Sequence, residues 1–132
     1  MFDDELEKIR LKKAEMLRKL QLIPKEIVKI HSIEYFNKIL KDFPDKILIV
    51  DFWAVWCAPC KMIEPSVEDL AQAYKEKMKV VKLNVDENPK IPANYSVMSI
   101  PTLLLFKGGE LKETIVGALP QKKIEEAITK HL

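Results

Sequence analysis

The chain has 132 residues, of which 48% are apolar and 32% are charged, and its 22 basic residues nearly balance its 20 acidic ones. This length suits a single domain with its own hydrophobic core, and the net charge of +2 gives no electrostatic reason to expect nucleic-acid binding. The low glycine count of 3, together with many lysines, glutamates and isoleucines, is typical of heat-adapted proteins.

The N-terminal residues and the longest apolar run argue against a leader peptide and a membrane span. The start "MFDDELEKIR" (1–10) has no apolar stretch behind a basic region, so we expect no signal peptide. The run "ILIVDFWAVW" (47–56) is too short to cross a bilayer and contains an aspartate. We therefore expect a cytoplasmic protein. In that compartment two neighbouring cysteines are more often catalytic or metal-binding than a permanent cross-link.

The first predicted element is a helix over residues 3–20. The segment "DDELEKIRLKKAEMLRKL" has apolar residues on one face and places acidic residues before basic ones, as the helix dipole favours, and Pro24 follows it. We predict a helical extension over residues 1–24 in front of a domain over residues 25–132. In a monomer the extension either docks weakly on its own domain or projects from it. Alternatively, its apolar stripe is a contact with a partner or with a second copy of the chain.

Strand and helix patterns then alternate to the end of the chain. The order predicts an α/β domain with a central mixed sheet and helices on both faces. The helix that begins near Cys60 contains Pro65, which predicts a kink. The predicted segments are a strand at 26–31, a helix at 32–42 capped by Ser32, a strand at 46–55, a helix at 60–77, a strand at 79–85, a short helix ending near Tyr95, a hairpin over 102–117 turning at Gly108–Gly109, and a helix from Pro120 to Leu132.

Both cysteines lie in "DFWAVWCAPCK" (51–61), where the buried strand gives way to a helix. At this junction Cys57 would lie over unpaired backbone N–H groups and the positive end of the helix, which stabilise a thiolate. Cys60, one turn further, is close enough to attack a mixed disulfide formed at Cys57 and release the reduced substrate. Pro59 lies just inside the helix start, where its missing N–H costs nothing. This arrangement predicts a redox couple.

Two other interpretations of the cysteine pair are a static disulfide and a metal site. A structural zinc ion needs about four ligands. Besides its two cysteines the chain offers only His31 and His131, which fall in separate predicted elements. The sequence therefore favours no metal.

Four segments resemble the thioredoxin family in the same order. They cover about four-fifths of the chain, over residues 26–132, and include "DFWAVWCAPCKMIEP", "VVKLNVDENP", "SIPTLLLFKGGE" and "VGAL". The resemblance implies the thioredoxin fold, with a mixed five-stranded sheet and helices on both faces, to which the N-terminal helix is an addition. Ala58 departs from the glycine usual in the family, and the residues between the cysteines tune the potential of the couple.

The resemblance also implies catalytic roles. Cys57 would be the exposed attacking thiol and Cys60 the buried resolving thiol. Asp51 would be a buried carboxylate beneath them, with a pKa raised by burial toward that of a useful proton acceptor for the Cys60 thiol. Lys82 matches the family lysine near that carboxylate and would moderate its pKa.

A substrate-binding surface follows from the same match. Pro101 corresponds to the family's cis-proline, which faces the cysteine pair and would expose the Ile100 backbone to an extended substrate segment. Trp56 would cover the pair, and Gly117 and Ala118 would leave room beside it. The predicted surface consists of Trp56, Ala58, Pro59, Ile100, Pro101, Gly117 and Ala118.

The implied activity is reduction of protein disulfides without a bound cofactor, with a thioredoxin reductase returning electrons to the Cys57–Cys60 pair. The protein would thus belong to cellular electron transport and redox homeostasis, with neither nucleic acid nor membrane as partner. Two alternatives stay open. The pair could serve a disulfide oxidase or isomerase, or the surface around Trp56 and Pro101 could bind a partner regardless of redox state.

Overall fold

The computed structural model describes Lys8, residues 27–30 and residues 32–132. The helix predicted over 3–20, the boundary at Pro24 and the candidate ligand His31 fall outside these residues, apart from Lys8. The elements are β1 (Ile27–Lys29), α1 (Ile33–Asp42), β2 (Ile47–Trp53), α2 (Ala58–Ala73), β3 (Met78–Asn84), α3 (Lys90–Asn94), β4 (Thr102–Lys107), β5 (Glu110–Val116) and α4 (Gln121–Thr129).

The strands form one five-stranded mixed sheet in the order β1-β3-β2-β4-β5. β1 and β2 both pair with β3 in parallel, whereas β4 runs antiparallel to β2 and β5 antiparallel to β4. The predicted mixed sheet of five strands is confirmed. Its central strand β2 ends at the loop that leads into α2, so the cysteine segment lies at the end of the middle strand of the sheet.

Strand β2 is almost continuously apolar because both of its faces are covered. Ile47 and Ile49 pack on one side with residues of α2 and α4, and Leu48 and Val50 pack on the other side with residues of α1. Side chains alternate between the faces of a strand. Asp51 therefore lies on the same face as Ile47 and Ile49, beneath α2.

The local signals for α1 and for the β4–β5 hairpin act as predicted. Ser32 precedes α1, and its hydroxyl oxygen accepts a hydrogen bond from the Tyr35 N–H at 3.1 Å. Gly108 and Gly109 have φ values of +62° and +79°. A tight hairpin turn of this kind needs positive φ at both central residues, which glycine adopts without steric cost.

Several element boundaries differ from the prediction. α2 begins at Ala58 with Cys57 as its cap, two residues before the predicted start at 60, because a proline in the first turn sacrifices no hydrogen bond. Pro65 lies inside α2, which continues past it to Ala73. Pro120 caps α4 and is not its first helical residue, since the ring fixes φ at −59° but leaves ψ extended at 150°.

Among the residues that the structure describes, no helix is long and apolar enough to cross a membrane.

Candidate active site

The cysteine pair lies at the N-terminus of α2, directly after the loop that follows β2. Cys57 is the cap residue and Cys60 belongs to the first turn, and the two form a disulfide with their Cα atoms 5.3 Å apart. The Cys60 backbone N–H donates a hydrogen bond to Cys57 Sγ at 3.2 Å. The sulfur of Cys57 thus accepts from an N–H of the first helical turn, whose backbone N–H groups have no carbonyl partner within the helix. The helix dipole favours negative charge at this position.

The expectation that Cys57 is exposed is wrong for this disulfide form. Cys57 and Cys60 are both only 3% exposed. The disulfide ties Cys57 Sγ to the first turn of the helix, and the side chains of Trp53, Val85 and Ile100 pack against the pair. The sulfurs are therefore covered from the strand side and from the loop before β4.

Asp51 is a buried carboxylate on β2, six residues before Cys57. It is 1% exposed, and its Oδ1 has no hydrogen-bond partner among the described residues. Burial raises the pKa of Asp51 to about 6, an effect that the positive charge of Lys82 opposes and the negative charge of Glu64 reinforces. A carboxyl group with this pKa exchanges a proton readily near neutral pH.

Lys82 stands opposite Asp51 in the parallel register of β2 and β3. Its ammonium forms an ion pair with Glu64 Oε1 at 2.9 Å and lies 5.5 Å from the centroid of the Trp53 ring. The sequence prediction missed Glu64. Its position four residues after Cys60 on the same helix was the available signal, because residues at this spacing share a helix face.

The loop before β4 brings the predicted proline to the site. The Ile100–Pro101 peptide bond is cis, and Ile100 packs against the cysteine pair. The Pro101 carbonyl accepts a hydrogen bond from the Gly117 N–H at 2.9 Å, and the Thr102 hydroxyl donates one to the Ser99 carbonyl at 2.7 Å. These bonds fix the segment on both sides of the proline.

An apolar groove of about 270 Å³ runs beside the cysteine pair. Trp56 forms one wall with its side chain 69% exposed, while its indole N–H donates to Asp86 Oδ2 at 2.9 Å. Asp86 was also missed by the sequence prediction. The groove is lined by Trp56, Val85, Pro89, Pro92, Val97, Met98, Ser99 and Ile100.

The other residues predicted for the binding surface occupy different positions. Ala58 and Pro59 are exposed in the first turn of α2. Gly117 has a φ of +91° and Ala118 is exposed, and neither residue lines the groove. The structure thus brings Trp56 and Ile100 together, with Gly117 connected through its bond to Pro101.

His131, the second candidate metal ligand, follows the last helix, α4, and its Nε2 is 3.0 Å from Glu113 Oε1. Within the described part of the chain, no three His, Cys, Asp or Glu side chains are grouped as a metal ion would require.

Comparisons with known proteins agree with this geometry. Residues 27–130 match the family model described as Thioredoxin. A thioredoxin from Staphylococcus aureus is 45% identical over 106 residues, covering 80% of this chain and 98% of that protein. Thioredoxin M2, chloroplastic, from Arabidopsis thaliana is 54% identical over 85 residues, covering 64% of this chain and 46% of that protein.

A solved structure gives the same result. The oxidised form of mitochondrial thioredoxin 3 from Saccharomyces cerevisiae superposes with a TM-score of 0.74 at 35% identity, covering 82% of this chain and 98% of that one. The matched proteins include bacterial, chloroplastic and mitochondrial ones, so the family spans several compartments. Its members act on disulfide-containing proteins and receive electrons from a reductase. The chain belongs to the thioredoxin family and is a thiol–disulfide oxidoreductase that reduces protein disulfides.

Proposed function

We propose that Cys57 attacks the substrate and that Cys60 resolves the product. The Cys57 thiolate bonds to one sulfur of a substrate disulfide, and the other substrate sulfur leaves as a thiolate. The Cys60 thiolate then attacks Cys57 Sγ and releases the second substrate sulfur. The substrate gains two electrons while the protein becomes the Cys57–Cys60 disulfide. The observation that carries this assignment is the hydrogen bond from the Cys60 N–H to Cys57 Sγ, since it would stabilise a thiolate at Cys57.

Asp51 is the proton acceptor in this proposal. Cys60 must lose its proton before it can attack, and a buried carboxylate without a hydrogen-bond partner on Oδ1 can take it, directly or through a water. The raised pKa of Asp51, about 6, leaves the group mostly ionised at neutral pH and still basic enough to accept a proton. Lys82 tunes this acceptor, because its positive charge lowers the pKa that burial raises.

The groove beside the pair is proposed as the substrate-binding surface. Its apolar lining and the exposed face of Trp56 suit an extended apolar segment next to the substrate disulfide. The backbone of Ile100 would pair with that segment as a further strand. Ala58, Pro59, Pro101, Gly117 and Ala118 would border it.

The partner and compartment follow from the reducing role. A thioredoxin reductase would return two electrons to the Cys57–Cys60 disulfide, which would link the protein to cellular electron transport. The cytoplasm keeps thiols reduced and is therefore the proposed location. The glycine-poor, charge-rich composition supports an origin in a heat-adapted organism.

The chain is proposed to consist of an extension over residues 1–24 and a thioredoxin domain over residues 25–132. The family match over residues 27–130 supports the position of the boundary. We propose a monomer in which neither the oligomeric state nor disulfide reduction depends on the extension. Deletion of residues 1–24 would then leave the protein monomeric in solution and leave the rate of disulfide reduction unchanged. A full-length dimer that becomes monomeric on deletion would instead make the extension a dimer contact.

Trapping of the mixed disulfide tests the roles of the cysteines. Reduced Cys60→Ser should accumulate a mixed disulfide with native, disulfide-bonded insulin, because the resolving thiol is absent. Cys57→Ser should form none, because the attacking thiol is absent. Adduct formation by Cys57→Ser alone would reverse the assignment, and the Cys57→Ser/Cys60→Ser double variant is the control for non-covalent capture.

A further inference from the structure

Glu64 interacts with the proposed active site through Lys82. Its Oε1 accepts a hydrogen bond from Lys82 Nζ at 2.9 Å, across 18 residues of sequence. The lysine side chain is only 13% exposed, whereas the Glu64 side chain is 42% exposed. The ion pair therefore joins a partly exposed carboxylate on α2 to the mostly buried ammonium of Lys82 on β3.

Asp51 has few charged neighbours. Across β3 its register partner is Lys82, and across β4 it is the apolar Leu103. From α2 the neighbouring charged group is Glu64, and α4 packs on the same face of the sheet with Ile124 and Ile128. Lys82 and Glu64 are the charged groups that act on the Asp51 carboxyl in the described part of the chain.

The Lys82 ammonium has three N–H donors, and its positive charge acts on the Asp51 carboxyl. One donor goes to Glu64, and the ammonium also lies over the Trp53 ring. Among the described residues Asp51 Oδ1 receives no hydrogen bond. Lys82 thus acts on Asp51 by its charge through space while its close contact is with Glu64.

We propose that Glu64 is a positioning residue for the disulfide chemistry: by engaging the Lys82 ammonium it keeps Asp51 free of a direct ion pair and sets the pH range in which Asp51 can accept the Cys60 proton. The proposal rests on the proposed role of Asp51. Without Glu64, the lysine would be free to pair with Asp51, and the negative charge that disfavours ionisation of Asp51 would be lost.

The test replaces Glu64 by glutamine, which keeps the size of the side chain and removes its charge. Glu68→Gln is the matched control, because Glu68 is an exposed carboxylate one turn further along α2. The readout is the titration of the Asp51 side-chain carboxyl carbon by NMR in the oxidised protein. Glu64→Gln should move the midpoint down by roughly half a pH unit or more, and Glu68→Gln should leave it in place. An unchanged or higher midpoint in Glu64→Gln overturns the proposal.

A second pair of variants tests whether the effect passes through Lys82. Lys82→Met is introduced into the wild type and into Glu64→Gln. In this background Glu64→Gln should lower the titration midpoint of Asp51 by clearly less than it does with Lys82 present, because only the direct repulsion between Glu64 and Asp51 is then removed. An equal shift in both backgrounds would overturn the part assigned to Lys82.

The pH profile of insulin reduction separates this proposal from the proposed function. If Asp51 accepts the Cys60 proton, the acid limb of the profile moves down in Glu64→Gln together with the NMR midpoint. If the NMR midpoint moves and the acid limb does not, Glu64 still sets the state of Asp51, and it is the role of Asp51 as proton acceptor that fails.

Discussion

Asp51 and Lys82 face each other across the parallel register of β2 and β3, and the positive charge of the lysine opposes the rise that burial imposes on the pKa of the carboxyl. The offset is partial, because the Lys82 ammonium has its close contact with Glu64. Asp51 thus stays a destabilised carboxylate next to the cysteine segment. A residue buried at such expense is better explained by chemistry than by folding.

Replacing Asp51 by alanine should stabilise the protein at neutral pH. The pKa of Asp51 is raised from 3.8 to about 6, so ionisation of the folded protein above pH 6 costs about 3 kcal/mol relative to the unfolded chain. Alanine removes this cost, but the small cavity left by the missing carboxyl offsets part of the stabilisation. We expect Asp51→Ala to unfold with a free energy roughly 1–3 kcal/mol higher at pH 8.

The pH dependence gives this prediction its sign. Because the folded protein binds the Asp51 proton more tightly than the unfolded chain, wild-type stability falls as pH rises from about 3.8 to about 6. The advantage of Asp51→Ala should therefore shrink as pH falls from about 6 to about 3.8 and vanish below pH 3.8. Urea unfolding at several pH values measures it. A destabilised variant at pH 8 would show that Asp51 is satisfied by groups that offset its burial.

Trp56 should contribute to substrate binding and little to folding. Its side chain is 69% exposed and its main polar contact is the bond to Asp86. We expect Trp56→Ala to raise the KM for insulin about tenfold, while the free energy of unfolding changes by less than about 1 kcal/mol. Met62→Ala is the control, because Met62 is 73% exposed and does not line the groove. Equal effects of the two substitutions on KM would contradict a binding role of the groove.

Gly117 should resist substitution because of its backbone conformation. Its φ is +91°, and a Cβ built there would meet no atom within 4 Å, so strain and not collision is the obstacle. We expect Gly117→Ala to lower the free energy of unfolding by roughly 1–2 kcal/mol. Gly117→Asn should lose less, because asparagine tolerates positive φ better than alanine. Thermal unfolding of both variants measures this, and an alanine variant as stable as wild type would refute the strain.

Much of the fold could be predicted from local pattern. β2 was recognisable because a strand buried on both faces needs apolar residues at nearly every position, which also made Asp51 stand out. The turn at Gly108–Gly109 depends on the φ angles of its own residues, and the cap at Ser32 depends on a hydrogen bond to a residue three positions away. Short stretches of sequence therefore identify both. Cys57 and Cys60 could also be identified from the sequence, because their spacing places both at the start of one helix.

The contacts that were missed join distant parts of the chain. Glu64 looks like an ordinary polar residue on a helix, and only the packing of α2 over β3 brings it to Lys82. The bond between Trp56 and Asp86 spans 30 residues and depends on where the loop after β3 lies. The burial of Cys57 likewise follows from Ile100 and Val85, which approach from two other loops.

The midpoint potential of the Cys57–Cys60 couple, measured by equilibration with a dithiol buffer, tests the central claim most directly. A reductant with alanine in place of glycine at position 58 should have a potential at or below about −270 mV, the value typical of thioredoxin. Restoring the usual residue with Ala58→Gly would then measure how much the substitution contributes. A potential between about −180 and −120 mV would contradict the claim, because such a couple would oxidise or isomerise the disulfides of its substrates.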